Sequence, residues 1–263
     1  MELHIDGRRA FAASYGRRPD PARPTVMFVH GAAMDRTVWT LFGRYFTRQE
    51  YNAIAVDLPG HGRSEGPALE SISAMADWIA TLLAAMEIDA AYLVGHSMGS
   101  LAVLDAAARH RERVRGIALI GTSAPMRVTD ALLDPARANE HLALDLVTLW
   151  GHSPRAQVGG FSIPGICMTT GGLRLLERAA PGVLFADLNA CNEYAEGIER
   201  AREVRCPVLL VLGERDSMTP APAARELEGA LKAPRRLVIR QGGHQLMSER
   251  PNQVLDALVE FVG

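Results

Sequence analysis

The stretch YLVGHSMGSLAVL, residues 92–104, interrupts two apolar runs with a short polar segment. The apolar residues before the segment are typical of a buried strand, and those after it are typical of a packed helix. Ser97 lies in the middle, with Gly95 two positions before it and Gly99 two positions after it. A serine that projects from so tight a strand-to-helix turn needs strained backbone angles, and a Cβ at either glycine would collide with the neighbouring chain. The pattern therefore predicts an exposed serine on a cramped turn.

Short apolar runs alternate with longer helical patterns along most of the chain, which is typical of a parallel sheet covered by helices. The runs are apolar on successive residues, as expected of strands that are buried on both faces. An N-terminal hairpin that turns at Asp6-Gly7 precedes them. The predicted strands of the parallel part are 25–30, 51–57, 90–96, 114–121, 207–213 and 235–240. The predicted helices are 36–48, 71–87, 98–110, 220–232 and 248–262.

This alternation stops between residues 125 and 203, in a stretch rich in Ala, Leu and Arg that contains no convincing buried strand. We interpret the stretch as a mainly helical insertion between two strands of the sheet. The predicted organisation is an α/β core domain of residues 1–124 and 204–263, and a helical cap of residues 125–203, which we call the cap segment.

Composition excludes several classes of protein. Of the 263 residues, 48% are hydrophobic and 22% are charged, and the net charge of −2 comes without a basic stripe, which argues against a nucleic-acid partner. Three cysteines without paired spacing argue against a disulfide framework or a zinc site. The N-terminus lacks the apolar core of a secretion signal, and no run reaches the roughly 18 apolar residues of a membrane span. We expect a cytoplasmic protein without membrane insertion, and a homodimer is compatible with the sequence.

Ser97 fits the Gly-x-Ser-x-Gly pattern of a nucleophile elbow, but a serine hydroxyl is a weak nucleophile unless a base accepts its proton. His244 lies in a loop after the last predicted strand, at the sheet edge that also carries Ser97. An imidazolium there needs a carboxylate to fix its tautomer and offset its charge. Asp216, just past another strand end, is the favoured candidate, and Glu214 is the alternative. Histidines expected instead to be solvated are His110, His141 and His152.

Acyl transfer also needs hydrogen-bond donors for the oxyanion of the tetrahedral intermediate. The backbone N–H of Met98, the residue after Ser97, is one candidate. The second is the N–H of Ala32, in the loop after the strand at 25–30, with Ala33 as the alternative. Neither a metal nor an organic cofactor is required for this chemistry.

Five short motifs make the chain resemble the α/β-hydrolase fold family over nearly its whole length. They are HGAAMD (30–35), DLPGHGRSE (57–65), GHSMGS (95–100), GERDSMTP (213–220) and GGHQLMSERP (242–251). The resemblance implies a mostly parallel eight-stranded sheet flanked by helices, with the cap segment as a helical lid inserted after the sixth strand. It also implies a catalytic triad of Ser97, Asp216 and His244, with Ala32 and Met98 as oxyanion donors. Residues implied to fix a loop are His61 and Ser64.

Within this family the chain is most similar to small bacterial esterases and lactonases. That likeness predicts a small-molecule substrate: a carboxylic ester, lactone or thioester with a small to medium apolar acyl group. The cap residues expected to contact the substrate are Trp150, Phe161, Met168 and Phe185, although packing of the cap's own core would also explain each of them.

The resemblance leaves other functions open. A serine at position 97 argues against the dehalogenases and epoxide hydrolases of the family, which have an aspartate there. The alternatives that keep the triad are a C–C bond hydrolase, a cofactor-free haloperoxidase-like enzyme and a ligand receptor on a hydrolase scaffold.

Overall fold

The computed structural model describes residues 1–16, 18–159 and 167–263. Eight strands among these residues form one sheet. The strands are β1 (Glu2–Ile5), β2 (Arg8–Ala13), β3 (Thr25–Val29), β4 (Asn52–Asp57), β5 (Ala91–His96), β6 (Val114–Ile120), β7 (Val208–Gly213) and β8 (Arg235–Ile239). Their order in the sheet is β1-β2-β4-β3-β5-β6-β7-β8. Strand β2 pairs antiparallel with β1 and β4, and the other neighbours are parallel. The predicted mostly parallel sheet is therefore confirmed.

Successive strand residues face opposite sides of the sheet, and both sides are apolar. A layer of helices therefore covers each side. Met27 of β3 packs in an apolar cluster with helices on one face, whereas Phe28 packs in a second cluster on the other face. Helices packed on the Met27 face include α2 (Ile72–Ala85) and α3 (Met98–Arg109). Those on the Phe28 face include α1 (Thr40–Arg48), α11 (Leu246–Glu249) and α12 (Pro251–Val262).

Some predicted helices are interrupted in the structure. The helix expected at 248–262 is two helices, because Pro251 begins α12 and the residue before a proline disfavours the helical conformation. The helix expected at 220–232 is a 3₁₀ turn, Ala221–Ala224, followed by a short α-helix, α10 (Arg225–Ala230). The helix expected at 36–48 likewise begins with a 3₁₀ turn, Arg36–Trp39.

The insertion between β6 and β7, which contains the predicted cap segment, has only helices and connecting loops in its described part. Its helices are α4 (Asp130–Arg137), α5 (His141–Gly151), α6 (Pro154–Gln157), α7 (Met168–Leu176), α8 (Val183–Glu193) and α9 (Gly197–Glu203). Leu132, Val147 and Leu188 form an apolar cluster there that also takes in Ala33 and Met34 from the loop after β3. The insertion therefore packs directly on the sheet edge beside Ser97, and its treatment as a separate cap domain stays a prediction.

Within the described ranges, no helix combines the length and the apolar character that are needed to cross a membrane.

Candidate active site

Ser97 lies on the predicted strand-to-helix turn, between the end of β5 and the first residue of α3. Its φ of 52° and ψ of −120° are a strained combination for a residue with a Cβ. A Cβ at Gly95 would collide with the carbonyl oxygen of Gly99, and one at Gly99 would lie 2.5 Å from the carbonyl oxygen of His30. The predicted reason for the two glycines is therefore confirmed.

Backbone hydrogen bonds hold this turn in place. The Ser97 N–H donates to the carbonyl oxygen of Ile120 on β6 at 2.9 Å, and the Ser100 N–H donates to the Ser97 carbonyl oxygen at 2.8 Å. Ser97 stays partly accessible while its neighbours His96 and Met98 are buried. The turn thus presents one hydroxyl at the surface of an otherwise closed core.

His244 and Asp216 meet at the same sheet edge, in the loops after β8 and β7. His244 Nδ1 lies 2.8 Å from Asp216 Oδ2, and the Thr219 hydroxyl donates to the same oxygen at 2.8 Å. The N–H groups of Met218 and Thr219 each donate to Asp216 Oδ1 at 2.8 Å. Burial alone would raise the pKa of Asp216, but His244 and the hydrogen bonds outweigh it and the pKa lies below its ordinary value. The carboxylate is therefore ionised where it faces the imidazole.

Glu214, the alternative carboxylate, points elsewhere. Its Oε2 accepts a hydrogen bond from the Gln241 N–H at 2.9 Å, and the residue is exposed. Asp216 rather than Glu214 is thus the carboxylate beside His244.

Ser97 and His244 line one cavity of about 320 Å³ between the sheet edge and the insertion. Ala32 lines the cavity from the loop after β3, and Thr219 lines it from the loop after β7. Its apolar lining residues include Met34, Met126, Val128, Leu132, Val147, Trp150 and Leu188. Such a cavity, apolar with a few polar groups at one end, is typical of a small-molecule site at the carboxyl ends of parallel strands.

The four cap residues expected at the substrate divide in the structure. Trp150 lines the cavity with Ser97, whereas Met168 lines a neighbouring cavity of about 540 Å³. Phe185 lines neither of these cavities, because it lies one position along α8 from the buried Leu184 and faces Arg137, whose guanidinium lies 4.8 Å from its ring centre. The expectation for Phe185 is wrong in this respect. Phe161 lies outside the described residues.

Sequence reasoning missed several lining residues on the insertion. Val147 lines both cavities and is buried, four positions after the buried Ala143 on α5. This i, i+4 spacing is the signal that indicates the inward face of the helix.

Of the two expected oxyanion donors, Ala32 lies in the cavity wall, and Met98 is the first residue of α3. An N–H in the first turn of a helix has no acceptor within that helix, and the positive end of the helix dipole favours an anion there. The Ala33 N–H donates to Asp187 Oδ2 at 2.8 Å, so it is occupied. The Ala33 N–H is therefore not free to donate to an oxyanion, and Ala32 stays the candidate from this loop.

Buried histidines support the site from behind. His96 Nε2 lies 3.0 Å from the carbonyl oxygen of His244, so it carries the hydrogen and steadies the His244 loop. Burial lowers the pKa of His96 to about 3, which keeps its ring neutral. The prediction that His152 is solvated is wrong: the residue is buried, and its Nδ1 lies 2.8 Å from the Thr148 carbonyl oxygen because the ring folds back on the last turn of α5. His110 and His141 lie at the surface beside carboxylates, as expected.

The loop after β4 is held as predicted. The Ser64 hydroxyl donates to the Asp57 carbonyl oxygen at 2.6 Å and accepts a hydrogen bond from the Phe11 N–H at 2.9 Å. His61 is buried and contacts the insertion through Asp187.

Comparisons with known proteins identify the family of this chain. A sequence model of the alpha/beta hydrolase fold matches residues 24–159, and one described as TAP-like protein matches residues 191–261. The pimeloyl-[acyl-carrier protein] methyl ester esterase of Chromobacterium violaceum is 30% identical to this chain, covering 96% of this chain and 97% of that protein.

Solved structures share the fold at lower identity. An enol-lactonase from Burkholderia xenovorans LB400 has a TM-score of 0.87 at 20% identity, covering 100% of this chain and 99% of that one. A thermophilic esterase has a TM-score of 0.81 at 23% identity, covering 100% of this chain and 96% of that one. The chain belongs to the α/β-hydrolase fold family, and its relatives include esterases.

Proposed function

We propose that this chain is a serine hydrolase that cleaves carboxylic esters, lactones or thioesters of small to medium apolar acyl groups through an acyl-enzyme. The observation that carries the proposal is that Ser97, on its strained turn, and His244, paired with Asp216, line one apolar cavity. A nucleophile, a base and a carboxylate that orients the base are the parts that acyl transfer requires.

In the first half of the reaction, His244 Nε2 accepts the Ser97 proton while Ser97 Oγ attacks the carbonyl carbon. Asp216 holds the opposite ring nitrogen and offsets the charge of the imidazolium that forms. The N–H groups of Ala32 and Met98 donate to the oxyanion. The intermediate collapses, and the alcohol leaves with the proton that His244 returns.

In the second half, a water molecule takes the place of the alcohol. His244 accepts a proton from that water, the resulting hydroxyl attacks the acyl carbon, and the second tetrahedral intermediate collapses to the acid. Ser97 recovers its proton from His244, which restores the starting state.

The cavity supports an apolar acyl group of limited size. Its volume of about 320 Å³ lies at the lower end of the usual range for small-molecule sites, and most of its walls are apolar. The name of the Chromobacterium violaceum relative describes a carboxylic ester as its substrate, which supports ester cleavage here.

A panel of p-nitrophenyl esters with acyl chains of graded length tests the proposal. We expect turnover by the wild type, and a kcat about 10⁴-fold to 10⁶-fold lower in Ser97→Ala with an unchanged Tm. Ser73→Ala is the control rather than Ser217→Ala, because Ser217 lines the same cavity whereas Ser73 lies on α2 and does not. The kcat of Ser73→Ala should stay within about threefold of the wild-type value. Ester turnover that survives in Ser97→Ala would disprove the assignment. A dienoic diketone in the same panel tests the C–C bond hydrolase alternative.

A further inference from the structure

One carboxylate of the insertion joins two loops of the sheet edge. Asp187, on α8, is fully buried, and its Oδ2 accepts a hydrogen bond from the Ala33 N–H at 2.8 Å. The same oxygen lies 2.8 Å from His61 Nε2. Ala33 follows β3 and His61 follows β4, so this single oxygen fixes both loops to the insertion.

The Asp187–His61 contact is a buried ion pair. His61 Nδ1 lies 3.0 Å from the carbonyl oxygen of Pro59, and Nε2 faces Asp187. A carbonyl and a carboxylate only accept hydrogen bonds, so both ring nitrogens carry hydrogens and the ring is an imidazolium. Burial would lower the pKa of His61, but Asp187 and the Pro59 carbonyl outweigh it and leave the pKa raised.

Stability alone does not account for Asp187. Its other oxygen, Oδ1, is buried without a hydrogen-bond partner among the described residues. Burying an acceptor without a partner is unfavourable, and a buried ion pair adds little to stability compared with apolar residues of the same volume. A residue with these costs is better explained by what its contacts hold in place.

Asp187 holds a strained residue next to the oxyanion loop. Ala33 has a φ of 54°, in the left-handed region that alanine rarely adopts. Its N–H belongs to the peptide that follows Ala32, so fixing this N–H fixes the orientation of the chain at Ala32. The preceding residue, Gly31, is so close to the nucleophile that a Cβ there would lie 3.3 Å from the Cβ of Ser97.

We propose that Asp187 is a positioning residue for the oxyanion hole: by holding Ala33 in the left-handed conformation, it keeps the Ala32 N–H directed at the carbonyl oxygen of a substrate on Ser97. This inference rests on the function proposed above. Because Asp187 belongs to the insertion, the oxyanion loop has its catalytic shape only while α8 is seated on the sheet edge.

Two substitutions of Asp187 and one control test this role by steady-state kinetics with p-nitrophenyl butyrate. Asp187→Leu removes the acceptor at similar volume, whereas Asp187→Asn keeps an oxygen that accepts from the Ala33 N–H. The control is Tyr194→Phe, which removes a different buried contact between insertion and core, the 2.8 Å hydrogen bond from the Tyr194 hydroxyl to Asp105.

Loss of a whole oxyanion donor lowers kcat by about 10²-fold to 10³-fold. We expect Asp187→Leu to lower kcat by about 10-fold to 100-fold with KM within about threefold, since the donor is misdirected rather than removed. The kcat of Asp187→Asn should be at least about fivefold higher than that of Asp187→Leu, and the kcat of Tyr194→Phe should stay within about threefold of the wild-type value. Equal losses in Asp187→Leu and Asp187→Asn, a change in KM alone, or an equal loss in Tyr194→Phe would overturn the proposal.

Hydrogen exchange of the Ala33 amide, measured by NMR, gives a readout that does not depend on activity. The amide should exchange faster in Asp187→Leu than in Tyr194→Phe, and equal rates would contradict the positioning role. If Asp187→Leu does not fold, Asp187→Asn takes its place: because an amide oxygen is a weaker acceptor than a carboxylate, the Ala33 amide should exchange faster in Asp187→Asn than in Tyr194→Phe, and equal rates would contradict the role. A wild type that cleaves no ester would refute the proposed function, and the exchange rates would still test the contact between Asp187 and the loop.

Discussion

The floor and the roof of the cavity are built in different ways. The floor consists of the loops after β3, β5, β7 and β8, where backbone atoms approach so closely that Gly95 and Gly99 have no room for a Cβ. The roof consists of helices of the insertion, whose apolar side chains fill space and can be replaced by others of similar volume. Backbone geometry thus restricts the residues that do the chemistry, whereas side-chain volume sets the shape that a substrate must fit.

The largest difference expected within the floor lies between its two carboxylates. Asp216→Ala removes the acceptor behind His244, so the imidazole loses its orientation and its compensating charge. We expect kcat for p-nitrophenyl butyrate to fall about 10⁴-fold in Asp216→Ala and to stay within about threefold in Glu214→Ala. A larger loss in Glu214→Ala would reverse the assignment of the acid.

A pair of glycines compares the floor with the roof directly. In Gly99→Ala the new Cβ meets backbone oxygens of the chain at Val29 and His30, which cannot move aside as a side chain can. We expect the free energy of unfolding to drop by about 3 kcal/mol or more, which lowers Tm by roughly 6–12 °C.

The matched control is Gly171→Ala on α7, where a Cβ meets nothing within 4 Å. Alanine is the better helix former, so this substitution should stabilise the protein by up to about 1 kcal/mol. Calorimetry on both variants measures the contrast, and similar Tm values would show that the floor is less constrained than we infer.

The ion pair between His61 and Asp187 connects the floor to the roof. Its contribution to the free energy of unfolding should depend on pH. Because the pKa of His61 is raised in the folded protein, its stabilising contribution is complete below the ordinary histidine pKa of about 6.5 and is lost as pH rises through the folded pKa. The free energy of unfolding of the wild type should therefore exceed that of His61→Gln by the largest amount below pH 6.5. The difference should shrink at higher pH by about 1.4 kcal/mol per unit of pKa elevation.

Urea unfolding of both proteins between pH 5.5 and 9 measures this difference, in which groups common to the two proteins cancel. A difference that stays constant over this range would mean that His61 does not change its charge there.

The smallest effect concerns the shape of the roof. Val147 lines both cavities, so we expect Val147→Ala to enlarge the space available where they adjoin. We expect kcat/KM for p-nitrophenyl octanoate relative to the acetate to rise about threefold to tenfold. Leu149→Ala, on the same helix but 48% exposed, should leave the ratio unchanged. Equal ratios in both variants would mean that the roof does not select acyl length.

The difference between floor and roof also explains how much could be predicted from the sequence. The strands follow from unbroken apolar runs, and the turn at Ser97 follows from its glycines, because both are local constraints. Phe185 was misjudged because composition does not reveal which face of α8 meets the cavity. Asp187 gave no signal at all, since its partners lie 126 and 154 positions away and meet it only in the folded chain.

The most direct test of the account is covalent labelling with a fluorophosphonate, followed by mass spectrometry of the digested protein. A phosphonate reacts with an activated serine, so we expect one adduct per chain, on Ser97, and a labelling rate at least about 10³-fold lower in His244→Ala. An adduct on Ser217 or another residue, or an unchanged rate in His244→Ala, would contradict the account.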